Sequence, residues 1–515
     1  MYQKILVQDK IIQVQNPIDF ATSLGDFYSD KSTNLSKKNL GQFFTPKAIA
    51  IFLADSVELQ DNCEEVSILD PGAGLGILSC AMIEQISIKY KNVTSIKLQL
   101  YEFDKSIIPY LEKVLVNLNN WCINNSLELS YKISKKDFLI ANLSSKSTYK
   151  SKYDIVISNP PYFKLSKKYK LKFGLDNDLK ALPNAYSAFL VISERLLKPK
   201  GQLLFITPRS FSSGKYFNHF RKIFFDRITL SWLHVFEKRS SAFKKDGVLQ
   251  EVVIFQAKKR DKNDINLIRV SNSKGIDDFN KISSITCEES LLIDLNSNER
   301  FLFLPTTKNC IELLKKYKKL TANLSTLHIK ASTGPVVYFR NYPFLRKTNS
   351  NINVPFIWLN NVNQMNLNWP NKNLKRQQYF KVSKKSKSVL LQSKNYVLIR
   401  RFSAKGDRKR LIACPMLKNM TKELIAFENK LNYLEKVDGE LREEEAVGLS
   451  AILCSNIYNQ LFGMLNGNTN VSVSELQALN MPDLNTISTF GKYLKNNGIN
   501  EENINQQVNM LFEQL

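Results

Sequence analysis

The run Ser158-Asn159-Pro160-Pro161-Tyr162, which follows the apolar stretch Tyr153 to Ile157, has the residue types to hold a planar amine. Two consecutive prolines remove two backbone donors and stiffen the turn, so the Asn159 side-chain oxygen and the Pro160 carbonyl can both face outward as acceptors. An NH2 on an aromatic ring is a poor nucleophile, because its lone pair is delocalised into the ring. Accepting both of its N–H bonds favours a pyramidal nitrogen and turns the lone pair toward an electrophile, a stabilisation that grows as positive charge develops in the transition state. Tyr162 can stack on the ring and lend its face to the transferring cation. No strong general base is needed, since the proton can leave after the transfer.

A second cluster lies upstream, in Asp70-Pro71-Gly72-Ala73-Gly74-Leu75-Gly76. Placed after a strand and before a helix, this glycine-rich turn can let backbone amides approach a nucleotide-like ligand. Its alternating glycines depart from the G-x-G-x-x-G dinucleotide spacing. Glu102 ends the next strand-like run, where a carboxylate can accept both hydroxyls of a ribose. The three histidines, His219, His234 and His328, show no ligand spacing, and the seven cysteines contain no C-x-x-C pair, so no metal site is expected.

The elements that must position these groups follow from periodicity. From Gly41 to about Arg260, short β-branched or aromatic runs alternate with helical stretches, the pattern of βαβ units and a largely parallel sheet. The strands are expected at 66–70, 96–102, 127–133, 153–158, 202–207, 230–236 and 248–256. Residues 76–90 read as a helix with Ile77, Met82, Ile83, Ile86 and Ile88 mainly on one side. The expected fold class is therefore α/β, a doubly wound Rossmann-like domain over 41–260. Residues 1–40 read as an arm or short helix. Polar residues 258–275 read as a connection to a mixed α+β region over 261–515 whose last hundred residues are mostly helical in pattern.

Composition narrows the partners. With 73 Lys and Arg against 47 Asp and Glu, the 515-residue chain carries a formal charge of +26. Such an excess attracts polyanions and supplies sequence-independent nucleic-acid affinity through counterion release, although a Lys- and Asn-rich composition also follows from an AT-rich genome. The amino terminus has no apolar stretch of signal-peptide length and no 18-residue apolar run occurs, so a cytoplasmic location is expected and a membrane partner is not.

With these residues in view, the chain resembles the N6-adenine DNA methyltransferases of bacterial restriction–modification systems, in the gamma motif order with the target-recognition domain last. The likeness runs through the chain after about residue 40. It implies a class I methyltransferase domain that binds S-adenosylmethionine. By that likeness Phe44, Thr45 and Pro46, within Gly41-Gln42-Phe43-Phe44-Thr45-Pro46, embrace the methionine part of the cofactor; Asp70, Gly72, Gly74 and Gly76 form its loop. Glu102 is the ribose ligand, and Asp137 and Phe138 contact the adenine ring. Asn159, Pro160, Pro161 and Tyr162 match the catalytic tetrad. Phe243 matches the aromatic position that sandwiches the flipped base opposite Tyr162, with Phe236 as the alternative. The stretches STGPVVYFRN (332–341), YVLIRRFSAK (396–405) and FENKLNYL (427–434) add a narrower likeness to the PstI/BsuBI-like modification methylases.

Duplex DNA is the partner this resemblance implies, with the chain acting as a monomer and a cognate restriction endonuclease as a second partner. An adenine amine is hidden inside a base pair, so the nucleotide must be extruded at a cost of roughly a few kcal/mol. Stacking by Tyr162 and Phe243, about 1–3 kcal/mol per face, offsets that cost. Lys164 beside the catalytic turn, and Arg400, Arg401 and Arg408 farther on, are the candidate DNA contacts. Two other readings remain open on the sequence. One is modification of an RNA adenine or a protein glutamine amide, since Asn-Pro-Pro-Tyr suits any planar NH2; the other is a non-catalytic DNA-binding specificity subunit.

Overall fold

A computed structural model describes residues 16–31, 44–143, 151–174, 176–237, 251–260, 266–403, 409–418, 423–467 and 470–515. Gly41, Gln42, Phe43, Phe243 and Arg408 lie outside them. The chain divides into two compact units. Residues 1–211 and 216–300 form the first; residues 212–215 and 301–515 form the second.

Nine strands make the first unit's sheet: β1 (Glu65–Pro71), β2 (Ser95–Tyr101), β3 (Glu128–Ser134), β4 (Tyr153–Ser158), β5 (Leu197–Pro208), β6 (Ile228–Phe236), β7 (Val252–Lys259), β8 (Leu267–Ser273) and β9 (Ser283–Glu288). Their order is β3-β2-β1-β4-β5-β7-β6-β8-β9. The first five pair in parallel, and β7 runs antiparallel between β5 and β6. Strands covered on both faces read as continuous apolar runs, and β1 is buried from Val66 through Pro71. This is the doubly wound α/β sheet that the alternation predicts.

Among the described residues, six helices of nine or more residues accompany it: α1 (Pro17–Lys31), α2 (Lys47–Asp55), α3 (Ile77–Lys89), α4 (Ile108–Asn124), α5 (Ala185–Leu196) and α6 (Asn218–Arg227). Helix α3 departs from its expected single apolar side. Ile88 is 60% exposed, whereas Leu78, Ser79, Cys80, Ala81 and Glu84 are buried along with Ile77, Met82, Ile83 and Ile86. Helix α2 packs on α3, and so does α1, from the stretch expected to be an arm or short helix, whose Ile18, Ala21 and Leu24 join the cluster around α3. A carboxylate ties α1 to α3. Glu84 accepts hydrogen bonds from the Asn16 side chain at 2.9 Å and from the Ile18 amide at 2.8 Å.

The expected boundary at residue 260 also moves, to about residue 300. The sheet continues past β7, because β8 pairs in parallel with β6 and β9 pairs antiparallel with β8. Polar composition disguised this continuation. Arg260, read as the end of the domain, instead fastens it internally by paired hydrogen bonds to the Glu289 carboxylate at 2.7 and 2.8 Å.

The second unit is mixed α+β, as expected. An antiparallel sheet joins strands Ile329–Thr333, Leu431–Lys436, Tyr396–Arg400 and Ala413–Met416, and a five-stranded sheet contains Asn353–Ile357 and Leu424–Phe427. The apolar segment 447–465 forms two helices, Glu443–Cys454 and Asn456–Leu465, broken at Ser455, whose hydroxyl caps the second. Helix Glu443–Cys454 crosses helix Leu484–Asn497 at very short range. A Cβ built on Gly491 would lie 1.8 Å from the Glu444 carbonyl oxygen, and one on Gly448 would lie 2.1 Å from that of Ile487.

That crossing has a measurable consequence. Gly448→Ala and Gly491→Ala should each lower the unfolding free energy of the second unit by about 1–3 kcal/mol or more, read from urea midpoints. Gly463→Ala is the control, since a Cβ there meets nothing within 4 Å; it should stabilise its helix by up to about 1 kcal/mol. Equal midpoints for all three variants would show that the helices do not meet through glycine.

Candidate active site

Strand order reverses at β1, which has β2 on one side and β4 on the other. Chain segments leaving the carboxyl ends of these strands diverge, and the crevice between them is where a doubly wound sheet admits a ligand. Asp70, Glu102, Asp137 and Asn159 all lie at that end, at or just after β1, β2, β3 and β4. A hydrogen bond from the Ser158 hydroxyl to the Pro71 carbonyl, at 2.7 Å, fixes the start of the tetrad against the start of the glycine loop.

The loop itself works differently from the expectation that its amides meet a ligand. The Gly72 and Ala73 amides both donate to the Tyr101 carbonyl at 2.9 Å, Gly76 donates to Ala73 at 2.8 Å, and Gly74 donates to the Glu102 carboxylate at 2.9 Å. Those donors are engaged inside the protein. What the loop offers is bare backbone surface, reached through left-handed conformations at Gly72, Gly74 and Gly76 (φ of 79°, 55° and 77°). Glu102 binds one amide with each oxygen, its second partner being Asp104 at 2.8 Å. A carboxylate has about four acceptor sites in all, so it can also accept from a diol. Burial pushes the Glu102 carboxyl above its ordinary range. Asp70 is deeper still; it accepts the Ser79 hydroxyl at 2.6 Å, and burial raises its pKa from 3.8 to about 7.

Phe44, Thr45 and Pro46 come to the same crevice. The Phe44 ring lies 3.7 Å from where a Gly74 Cβ would sit and packs edge-on against Tyr28 of α1. Thr45 reaches across to the tetrad, where the Asn159 Nδ2 group donates to its hydroxyl oxygen at 3.1 Å. On the opposite side, Asn159 Oδ1 accepts the Tyr162 hydroxyl at 2.6 Å. Tyr162 also lies 3.3 Å from the Ile206 carbonyl, and burial pushes its pKa well up, so it stays a neutral donor. Pro160 is buried and Pro161 half-buried, which holds the turn rigid.

Asp137 and Phe138 are placed less simply. Asp137 Oδ1 caps the short helix Phe138–Ala141 through the Leu139 and Ile140 amides, while Oδ2 accepts the Tyr169 hydroxyl at 2.5 Å. Phe138 is buried edge-on against Tyr101 and lies 5.0 Å from the Phe189 ring, so it supports the crevice from below. Tyr169 and Phe103 escaped the sequence reading. Phe103 follows Glu102 directly and leaves half of its ring exposed, an apolar face beside the carboxylate; its position one residue beyond the strand was the available signal.

Of the expected DNA contacts, Lys164 is exposed next to the tetrad. Arg400 and Arg401, both half-buried, make contacts inside the second unit. Arg400 donates to the Val362 carbonyl at 2.6 Å and to the Asn363 side chain at 3.0 Å; Arg401 donates to the Asn429 carbonyl at 3.1 Å and to the Asn470 side chain at 3.3 Å. Exposed rings cluster on 332–341 and just after it: Tyr338, Phe339 (64% exposed) and Tyr342, with the Arg340 guanidinium 5.7 Å from the Phe339 ring and Lys430 5.9 Å from Tyr338. Among the described residues no three His, Cys, Asp or Glu groups could hold a metal ion, and no helix is long and apolar enough to cross a membrane.

The chain is similar to known proteins. Residues 82–243 match the family described as Eco57I restriction-modification methylase. Type II methyltransferase M.BsuBI of Bacillus subtilis is 31% identical over 494 residues, 93% of this chain and 94% of that one. Type II methyltransferase M.PstI of Providencia stuartii is 31% identical over 452 residues, 87% of each chain. Among solved structures, a DrdV–DNA complex aligns over 94% of this chain and 60% of the other with a TM-score of 0.47 and 14% identity.

Asp70 makes the site's energetics measurable. A carboxyl raised from 3.8 to about 7 keeps its proton in the folded state when the unfolded chain has lost it, so its contribution to stability falls as pH rises from about 4 to 7. Asp70→Asn removes that loss. The variant's unfolding free energy relative to the native chain should rise by roughly 2–4 kcal/mol between pH 4 and pH 8. Urea titrations at several pH values test this, and a difference that is constant with pH would place the Asp70 carboxyl outside the buried crevice.

Proposed function

Because the chain belongs to the type II methyltransferases of restriction–modification systems, we propose that the DNA position it methylates is N6 of an adenine rotated out of the duplex, with S-adenosylmethionine as methyl donor. The Asn159 amide carries this reading. It is held between Thr45 and Tyr162 at the end of β4, and its Oδ1 is the type of acceptor that an N–H of a ring-borne amine needs. The neighbouring Pro160 carbonyl supplies the second acceptor that the sequence predicts, and the Tyr162 ring supplies a stacking face.

The residues of the other half of the crevice suit the cofactor. The Glu102 carboxylate is an acceptor suited to ribose hydroxyls, Phe103 offers an apolar face to adenine, Asp137 Oδ2 is an acceptor suited to an amine, and the buried Asp70 favours a nearby cation. When bound, the cofactor supplies an electrophilic methyl carbon on a sulfonium. Asn159 then holds the target nitrogen with its lone pair directed away from the ring plane, and Tyr162, neutral and half-buried, stabilises the positive charge that grows on that nitrogen. The proton lost by the amine needs no strong base, since it becomes acidic as the new bond forms.

For DNA the second unit offers the exposed Tyr338, Phe339 and Tyr342 with Arg340 and Lys430 among them, the mixture of stacking faces and cations that suits nucleic acid. This cluster replaces Arg400 and Arg401 as the favoured contact. A target-recognition role for the second unit, action as a monomer and a partner endonuclease belong to the same proposal.

Asn159→Ala should lower turnover by ~100-fold or more while cofactor affinity stays within about threefold. Turnover is read with labelled S-adenosylmethionine on amplified, unmodified DNA, followed by digestion to nucleosides. The expected product is N6-methyladenine; label in cytosine, or in RNA or protein alone, would overturn the adenine assignment. Separately, Phe339→Ala should weaken DNA binding by about 1–3 kcal/mol with cofactor binding unchanged. Unaltered DNA affinity would remove the 338–342 cluster from the interface.

A further inference from the structure

The stretches 332–341 and 427–434 meet in the second unit. Val336 bridges to Glu428, the Asn429 amide donates to the Val336 carbonyl at 2.9 Å, and a Cβ on Gly334 would lie 2.1 Å from the Glu428 carbonyl oxygen. The Glu428 amide donates in turn to the Ile357 carbonyl at 3.0 Å, so its backbone is fixed. The residue is 1% exposed. Its Oε2 accepts the Leu359 amide at 2.9 Å, whereas Oε1 is buried and has no hydrogen-bond partner among the described residues. A buried carboxylate oxygen without a donor is costly, and a donor that arrives with a ligand accounts for it.

Oε1 lies on the side of the exposed rings and cations. The Lys430 ammonium stands 3.8 Å from it and 5.9 Å from the Tyr338 ring; Tyr338 packs on Trp358, over which the Arg376 guanidinium lies at 5.0 Å. Burial pushes the Glu428 carboxyl above its ordinary range, and the Leu359 amide, Lys430 and Arg376 oppose that rise. Lys430 is the accessible part of the cover, its side chain 45% exposed. An ammonium on a flexible four-carbon stem can leave for a phosphate.

We propose that Glu428 reads one base of the DNA target: Lys430 moves to a backbone phosphate, and the uncovered Oε1 accepts the exocyclic amine of a cytosine or an adenine. This rests on the target-recognition role proposed for the second unit. A carboxylate only accepts, so it admits an amine and rejects the keto oxygen that thymine or guanine puts in the same place. Glutamine has almost the same shape but can turn either end to the base. Discrimination between amine and keto oxygen at one position is therefore what the carboxylate confers.

Sequencing of DNA from cells that express the native chain gives the modified site. Duplexes carrying single transitions, A to G or C to T, then exchange amine for keto oxygen one position at a time, and fluorescence anisotropy reads binding without requiring turnover. One such transition should weaken binding about tenfold or more for the native chain and less than about threefold for Glu428→Gln, with the other positions unaltered. Lys430→Met should keep the native preferences, while the slope of log affinity against log salt becomes shallower by about one; this variant carries the test if Glu428→Gln does not melt as the native chain does. A native transition profile in folded Glu428→Gln would overturn the proposal, and so would altered preferences or an unchanged salt slope in Lys430→Met. Phe339→Ala run alongside separates the two levels. If all three variants bind every duplex as the native chain does, the second unit's contact with DNA fails; if Phe339→Ala alone is impaired, only the role of Glu428 and Lys430 fails.

Discussion

Burial of β1 on both faces and both edges is the constraint from which the site follows. Its backbone pairs with β2 along its whole length and with β4 at its middle, and every residue from Val66 to Pro71 is buried. The chain can therefore become accessible only beyond the carboxyl end, where the segments after β2 and β4 part. Asp70, the last side chain before the turn, is drawn under with the strand, and its raised pKa is the cost of that position. The turn must then fit between rings. Phe44 stands beside Gly74, Phe189 beside Gly72, and Leu111 would meet a Gly76 Cβ at 3.0 Å. Glycine there answers the left-handed backbone at all three positions and, at Gly76, crowding as well.

The crevice has two chemical characters. On the β1 and β2 side are carboxylates, Asp70 and Glu102, both with pKa values raised by burial. Such groups suit a ligand with hydroxyls and a positive centre, which would lower both pKa values again on binding. The β4 side carries only neutral polar groups: the Asn159 amide, the Tyr162 phenol and the Thr45 hydroxyl. Groups of this kind exchange no protons near neutral pH, so whatever they contribute to a reaction comes from orientation and partial charge. An amine nucleophile needs that kind of help, because its difficulty is the direction of its lone pair rather than the strength of a base.

How much of this was legible in the sequence depended on range. The bounds of β1, β2, β3 and β4 fall within a residue or so of the runs that announce them; β1 and β4 are central strands apolar on both faces, whereas β2 alternates and β3 is an exposed edge strand. The tetrad and the glycine turn were legible for the same reason, as each directly follows such a strand. Contacts between distant segments were not. Nothing in Thr45 announces Asn159, nothing in Tyr169 announces Asp137, and the basic run around Arg400 shows charge without showing that the guanidinium reaches Val362. The extension of the sheet through β8 and β9 was hidden by composition, because Leu267–Ser273 has more polar than apolar residues and its burial comes from neighbours.

Residues 44–46 join the two characters of the crevice. Phe44 lies on the glycine turn, and one residue later Thr45 meets the Asn159 amide. Adjacent side chains so placed need a fixed backbone, and two anchors supply it. Upstream, Tyr28 of α1 packs against the Phe44 ring and hydrogen-bonds Ser106 at 2.8 Å. Downstream, Pro46 locks φ at −59° as it starts α2, whose Ile49, Ala50, Leu53 and Ala54 are wholly buried. A shift of this segment would therefore disturb the turn and the amide together, which makes the packing of α1 and α2 a condition for chemistry that neither helix touches.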